Sequence, residues 1–139
     1  IALATRNRDA LDLQERVELI ECDLVEGVPA ELARSFSVLV SNPPYIPQRV
    51  LEQEVPTEVK GFEPALALDG GENGLEVYRR LLGAVTNMLL PGGMLCVELY
   101  EGHLDKAAHL AEEQGVWESV EVKEDMTHRP RILVARLAK

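Results

Sequence analysis

Asn42-Pro43-Pro44-Tyr45 is the run in this 139-residue chain whose residue types and order could do chemistry. It follows an apolar stretch, Phe36 to Val40, with Ser41 between. Asn42 precedes a proline, which pushes its backbone out of the helical region. Pro43 and Pro44 fix two consecutive φ angles and offer no N–H, so their carbonyls are left to accept from a ligand. Asn42 adds a side-chain carbonyl and an NH₂ donor, and Tyr45 a flat apolar face with a polar tip. Two acceptors, the Asn42 side chain and the Pro43 carbonyl, could hold both hydrogens of a –C(=O)–NH₂ group. That would aim the open face of its nitrogen at an electrophilic methyl group. The same acceptors would stabilise the positive charge that builds on nitrogen, and alignment supplies much of the remaining rate. No base is needed before the methyl arrives, because the proton can leave afterwards. The plainer alternative is a proline-rich turn after a strand, for which Asn-Pro and Pro-Pro are common material. The position, directly after a strand that reads as buried on both faces, favours the chemical reading.

The elements that must position this run alternate between strands and helices. A rough helical face runs to about Asp12, and Val17 to Cys22 reads as a short strand ending at Asp23. A loop with one helical turn leads to a strand over Phe36 to Ser41. Its nearly continuous apolar run suits a parallel sheet. From Pro43 to Gly74 the chain is long and broken, with five prolines and "DGGENG", and a short helix is expected around Gln48 to Val55. Such a stretch inside a compact domain is usually functional. Gly74 to Leu90 reads as an amphipathic helix stopped by Pro91-Gly92-Gly93. A buried strand over Gly93 to Tyr100, a helix over His103 to Gly115, a half-wet strand over Trp117 to Asp125 and a last strand over Pro130 to Leu137 complete the order. The alternation predicts a mostly parallel sheet with helices on both faces. The link from Glu124 to Arg129 is too short for a parallel crossover, so the last strand should run antiparallel to its predecessor. Ligands in such sheets sit beyond the carboxyl ends of the strands, which puts Asp23 and Asn42 at that edge.

The length fits one domain. The net charge of −10 argues against a basic nucleic-acid footprint over the surface, and no direct nucleic-acid contact is expected. Cys22 and Cys96 sit in apolar segments at a spacing that suits no zinc site, and read as reduced, buried small hydrophobes of a cytoplasmic protein. His103 and His109 lie at helical spacing without a third ligand, so no metal is assigned. No apolar run reaches membrane-spanning length and no signal-peptide pattern is present, so no membrane partner is expected. The opening "IALATRNRDALDL" reads as a helix already in progress, without an initiator methionine.

"SNPPYIP" resembles the NPPY motif of S-adenosylmethionine-dependent amino-group methyltransferases. "FEPALALDGGENGLEVYRRLL" from Phe62, "LLPGGMLCVEL" from Leu89, and Asp125 with "RPRILVARL" resemble one branch, the HemK/PrmC protein-(glutamine-N5) methyltransferases. The resemblance covers nearly the whole chain. It implies a partial Rossmann-like α/β methyltransferase fold, its mostly parallel sheet ending in an antiparallel hairpin, with S-adenosyl-L-methionine as cofactor. The implied substrate is the glutamine of the Gly-Gly-Gln loop in peptide chain release factors; a sister branch methylates a ribosomal protein. By the same resemblance Asn42, Pro43, Pro44 and Tyr45 form the catalytic and substrate-binding set. Asp23 and Leu24, with Asn42, touch the cofactor, and Glu98 matches a family glutamate ending a strand.

There are departures. Tyr100 and His103 stand where the family has glycine and glutamine, and His128 stands at a family glycine. The glycine-rich cofactor loop, the first two strands and the ribose-binding acid have no counterpart in the sequence, because "DGGENG" and "PGG" do not follow a strand into a helix. The expectation is therefore the C-terminal portion of a methyltransferase catalytic domain. Residues 36–139 would be its main core, residues 1–35 would be displaced or rearranged, and activity of the chain alone is doubtful. An open sheet edge would allow self-association. Two alternatives stay open: a methyltransferase acting on a nucleic-acid exocyclic amino group, since NPPY alone also occurs there, and a non-catalytic fragment or interaction module.

Overall fold

The computed structural model describes residues 1–53 and 64–139. The described helices are α1 (Ala2–Ala10), α2 (Gln48–Gln53), α3 (Ala65–Leu68), α4 (Glu76–Val85) and α5 (Leu104–Glu112). The strands are β1 (Phe36–Ser41), β2 (Leu89–Glu98), β3 (Trp117–Glu124) and β4 (Pro130–Leu137). They form one sheet in the order β1-β2-β4-β3. β1 and β2 are parallel, and β4 is antiparallel to both β2 and β3. The short link before Pro130 thus has the geometric consequence expected of it. Because β4 enters between β2 and β3, its first residues lie where β2 ends: Ile132 pairs with Glu98.

The core lies on one face of this sheet. Leu95, Val97, Leu133 and Ala135 alternate along β2 and β4 and meet Tyr78, Leu81, Leu82 and Val85 of α4 and Leu104, Ala107 and Ala111 of α5. Each fully buried large apolar side chain contributes about 1.5–3 kcal/mol. The Tyr78 hydroxyl donates to the Ala107 carbonyl at 2.9 Å, so α4 and α5 share a polar bond inside the apolar layer. Burial pushes the Tyr78 phenol up from its ordinary pKa.

Three expectations are corrected. Among the described residues, helices pack on one face of the sheet rather than both: Val38 and Val40, which share the opposite face with Met94 and Cys96, are 43% and 75% exposed. Val17 to Cys22 joins no ladder among the described residues, which leaves Cys22 exposed and not buried, with Cys96 only half-buried; the bridge beside it is Asp23 with Glu26. A strand pattern becomes a strand only beside a neighbour that takes up its backbone groups. Lastly, α4 stops at Val85, and Leu89 already pairs with Phe36. Pro91-Gly92-Gly93 forms an irregularity within β2, since the next pair is Val38 with Met94. Gly92 has a φ of 77°, and a Cβ on Gly93 would lie 2.8 Å from the Leu90 carbonyl oxygen, which explains the two glycines. Of the short helix expected over Gln48 to Val55, the part through Gln53 is present and the rest lies outside the described residues.

Candidate functional site

β1 ends at Ser41, so Asn42 stands at the carboxyl edge of the sheet, exposed, with Pro43 buried and Pro44 and Tyr45 half-buried behind it. Asn42, Pro43, Pro44, Tyr45, Ile46, Ala67 and Leu68 line a cleft of about 210 Å³. Tyr45 packs against the core cluster. Glu98 reaches the same edge, one residue beyond Val97, which pairs with Ser41.

The prolines provide no N–H, so the segment is held from its far side. The Ile46 N–H donates to the Leu68 carbonyl at 3.0 Å, the Gly70 N–H to the Ile46 carbonyl at 2.9 Å, and the Gln48 N–H to the Gly71 carbonyl at 3.0 Å. "DGGENG" is therefore the clip that backs the cleft. Its own shape is set by side chains: Asp69 accepts from the Gly71 N–H at 2.8 Å, and Asn73 from the Leu75 N–H at 3.2 Å. The clip lies so close that a Cβ on Gly70 would come within 2.7 Å of the Tyr45 Cα.

Two further side chains brace this assembly. His103 sits against Gly74 and meets the Tyr100 ring edge-on at 5.3 Å. Its Nδ1 is buried without a hydrogen-bond partner among the described residues. Burial, helped by the Lys106 charge, holds its pKa below the ordinary value of 6.5. Arg131, at the start of β4, places its guanidinium 5.9 Å from the centre of the Tyr45 ring.

A second cavity, of about 550 Å³, adjoins the first and shares Pro44 with it. Asp23, Leu24, Leu66, Asp69, Val77 and Arg80 are among its lining residues. An Arg80 Nη2 donates to Asp23 Oδ2 at 2.6 Å, and this bond and charge raise the Arg80 pKa. Leu24 has a φ of 54°, uncommon for a bulky residue, in the turn closed by the Glu26 N–H on the Asp23 carbonyl at 2.9 Å. Such backbone is often stored at functional sites.

The structure thus brings Asp23 and Leu24 beside Asn42 to Tyr45, with Pro44 as the shared wall. Reading the sequence missed Arg80, Arg131 and the bracing roles of Gly70, Gly74 and His103. The glycine-dense "DGGENG" held the legible part of that signal; the two arginines act across long stretches of chain, 57 residues from Asp23 to Arg80, and from Tyr45 after β1 to Arg131 at the start of β4. Among the described residues no group of three or more His, Cys, Asp or Glu could hold a metal ion. No described helix is long and apolar enough to cross a membrane.

Comparison with protein-family models finds no match. Relatives are found by sequence. The chain is 36% identical over 138 residues to the release factor glutamine methyltransferase of Clostridium acetobutylicum, covering 97% of this chain and 46% of that protein. It is 39% identical over 128 residues to that of Caulobacter vibrioides, covering 92% of this chain and 43% of the relative. A chain in the structure of the E. cuniculi Mtq2–Trm112 complex, responsible for methylation of the eRF1 translation termination factor, superposes with a TM-score of 0.56 at 25% identity, covering 95% of this chain and 68% of that one. The chain spans less than half the length of these curated relatives. By sequence and fold it belongs to the release factor glutamine methyltransferase family.

Proposed function

We propose that this chain carries the methyl-acceptor site of a protein-(glutamine-N5) methyltransferase, acting on the Gly-Gly-Gln loop of a peptide chain release factor. The observation that carries the reading is the cleft at the end of β1, lined by Asn42, Pro43, Pro44 and Tyr45, in a chain whose relatives are release factor glutamine methyltransferases. The Asn42 side-chain oxygen and the Pro43 carbonyl accept the two N–H bonds of the glutamine amide. Pro44 and Tyr45 confine its plane. The acceptors strengthen as positive charge grows on nitrogen, so they favour the transition state over the ground state. The proton leaves after transfer, which needs no residue poised as base.

S-adenosyl-L-methionine is the proposed cofactor, and it supplies an electrophilic methyl group when bound. The second cavity suits its adenosine part: Leu24, Leu66 and Val77 are apolar walls, Asp23 and Asp69 are acceptors, and its size falls in the range of small-molecule sites. Asp23 and Leu24, with Asn42, are the proposed contacts. Asp23 must share its carboxylate with Arg80. In the same reading, residues 36–139 keep the family arrangement, residues 1–35 are rearranged, and the chain alone turns over poorly because it has no glycine-rich cofactor loop. The release factor is the proposed protein partner and the cytoplasm the proposed location. β1 has a ladder partner on one side among the described residues, and this open edge gives the chain a means of self-association.

The test is methyl transfer to an intact release factor, read by mass spectrometry. The chain is assayed alone and joined to the part of the Clostridium acetobutylicum relative outside the match. The joined form should methylate the glutamine, and Asn42→Ala should reduce the rate at least about 100-fold. Methylation of nucleic acid instead of the protein would contradict the proposal.

A further inference from the structure

We infer that Arg131 is a positioning residue for the acceptor site, holding the Tyr45 ring as one wall of the cleft; the inference rests on the acceptor-site reading above. The topology delivers it there. A parallel strand would bring its last residue to the carboxyl edge of β1 and β2. β4 runs the other way, so its first residues arrive instead. The backbone at Arg131 is tied to the end of β2, since the Leu99 N–H donates to the Arg131 carbonyl at 2.9 Å. The guanidinium returns toward the same residue, with Nη1 3.5 Å from the Leu99 carbonyl oxygen. Leu99 is fully buried, so this anchor is rigid.

From that anchor the guanidinium lies 5.9 Å from the centre of the Tyr45 ring, within the range in which a cation is attracted to an aromatic face. Arg131 is not among the residues lining the cleft. It therefore acts through Tyr45 and does not itself touch a substrate amide. The Tyr45 backbone is already fixed by the glycine clip, but the ring turns about bonds that the clip does not restrain. A planar cation that also donates to a fixed carbonyl restrains the ring as an ammonium would not. The ring orientation in turn sets the width of the slot for a planar amide, and preorganising it lowers the ordering cost of binding.

The experiment measures binding of an N-acetyl-Gly-Gly-Gln-amide peptide to the 139-residue chain by calorimetry. Wild type, R131M, R131K, Y45L and the R131M/Y45L double variant are compared. R131M should weaken binding about five- to tenfold. R131K should recover part of that loss. In the Y45L background, R131M should have no further effect, because its route to the peptide is gone. The ¹⁵N spectrum of each variant reports folding, and R131K serves if R131M does not fold. Equal affinity of wild type and R131M, or additive losses in the double variant, would overturn the inference while leaving the acceptor site intact. No peptide binding by wild type would overturn the acceptor-site reading, and this inference with it.

Discussion

Gly74 closes so tightly on the Tyr45 carbonyl oxygen that a Cβ at Gly74 would lie 2.5 Å from it, and 2.5 Å from His103 Cε1. Gly74 also has a φ of 75°, where a side chain is strained whatever the space. Gly74→Ala should therefore cost about 2–4 kcal/mol, combining left-handed strain with overpacking. Urea denaturation measures it. A loss below about 0.5 kcal/mol would show that the clip does not hold Tyr45 in place.

His103 makes the clip sensitive to acid. Its folded pKa lies below the unfolded value of 6.5, because burial disfavours the cation. Between the two values the unfolded state binds more protons than the folded one. Stability is then full above pH 6.5 and falls as the pH drops below it. Asp125 and Glu121 also have lowered values, from 3.8 and 4.5, so their contributions fade only in stronger acid. Unfolding midpoints measured across pH 6.5 to 5 should decline in the wild type and stay level in His103→Gln. An unchanged decline in that variant would assign the effect to another group.

The β3–β4 turn contains a correctable strain. Asp125 organises it, accepting from the Thr127 N–H at 2.7 Å and the Arg129 N–H at 3.2 Å. His128 then takes a φ of 60°, where related sequences are expected to have glycine. A left-handed non-glycine residue costs about 1–2 kcal/mol, offset by roughly 0.5–1 kcal/mol of glycine's extra unfolded freedom. His128→Gly should raise stability by about 0.5–1 kcal/mol, read from denaturant midpoints. A loss of stability would mean that the side chain contributes more than its conformation costs.

Most of the sheet was legible because its signals are local. Phe36 to Ser41 and Pro130 to Leu137 show strand patterns, and the short link before Pro130 allows one direction for β4. The amphipathic pattern also marks α4 and α5, although α4 ends earlier than its apolar spacing suggests. Asn42 to Tyr45 stood out because two prolines remove N–H groups at a strand exit. Val17 to Cys22 misled for the complementary reason: alternation describes one strand, while pairing depends on what lies beside it. The Arg131–Tyr45 contact was illegible because it depends on β4 inserting beside β2, a strand order that no local signal gives. The Asp23–Arg80 pair joins a turn to a helix face that no spacing rule connects.

The central claim is that the cleft at Asn42 to Tyr45 receives a glutamine amide. The most direct test is a ¹H–¹⁵N titration of the chain with two peptides, Gly-Gly-Gln and Gly-Gly-Glu, following the Asn42 side-chain NH₂ and the backbone N–H of Tyr45. The account predicts saturable shifts at both with the glutamine peptide and much smaller shifts with the glutamate peptide, whose carboxylate has no N–H to offer two acceptors. Equal shifts from both peptides, or none from either, would contradict it.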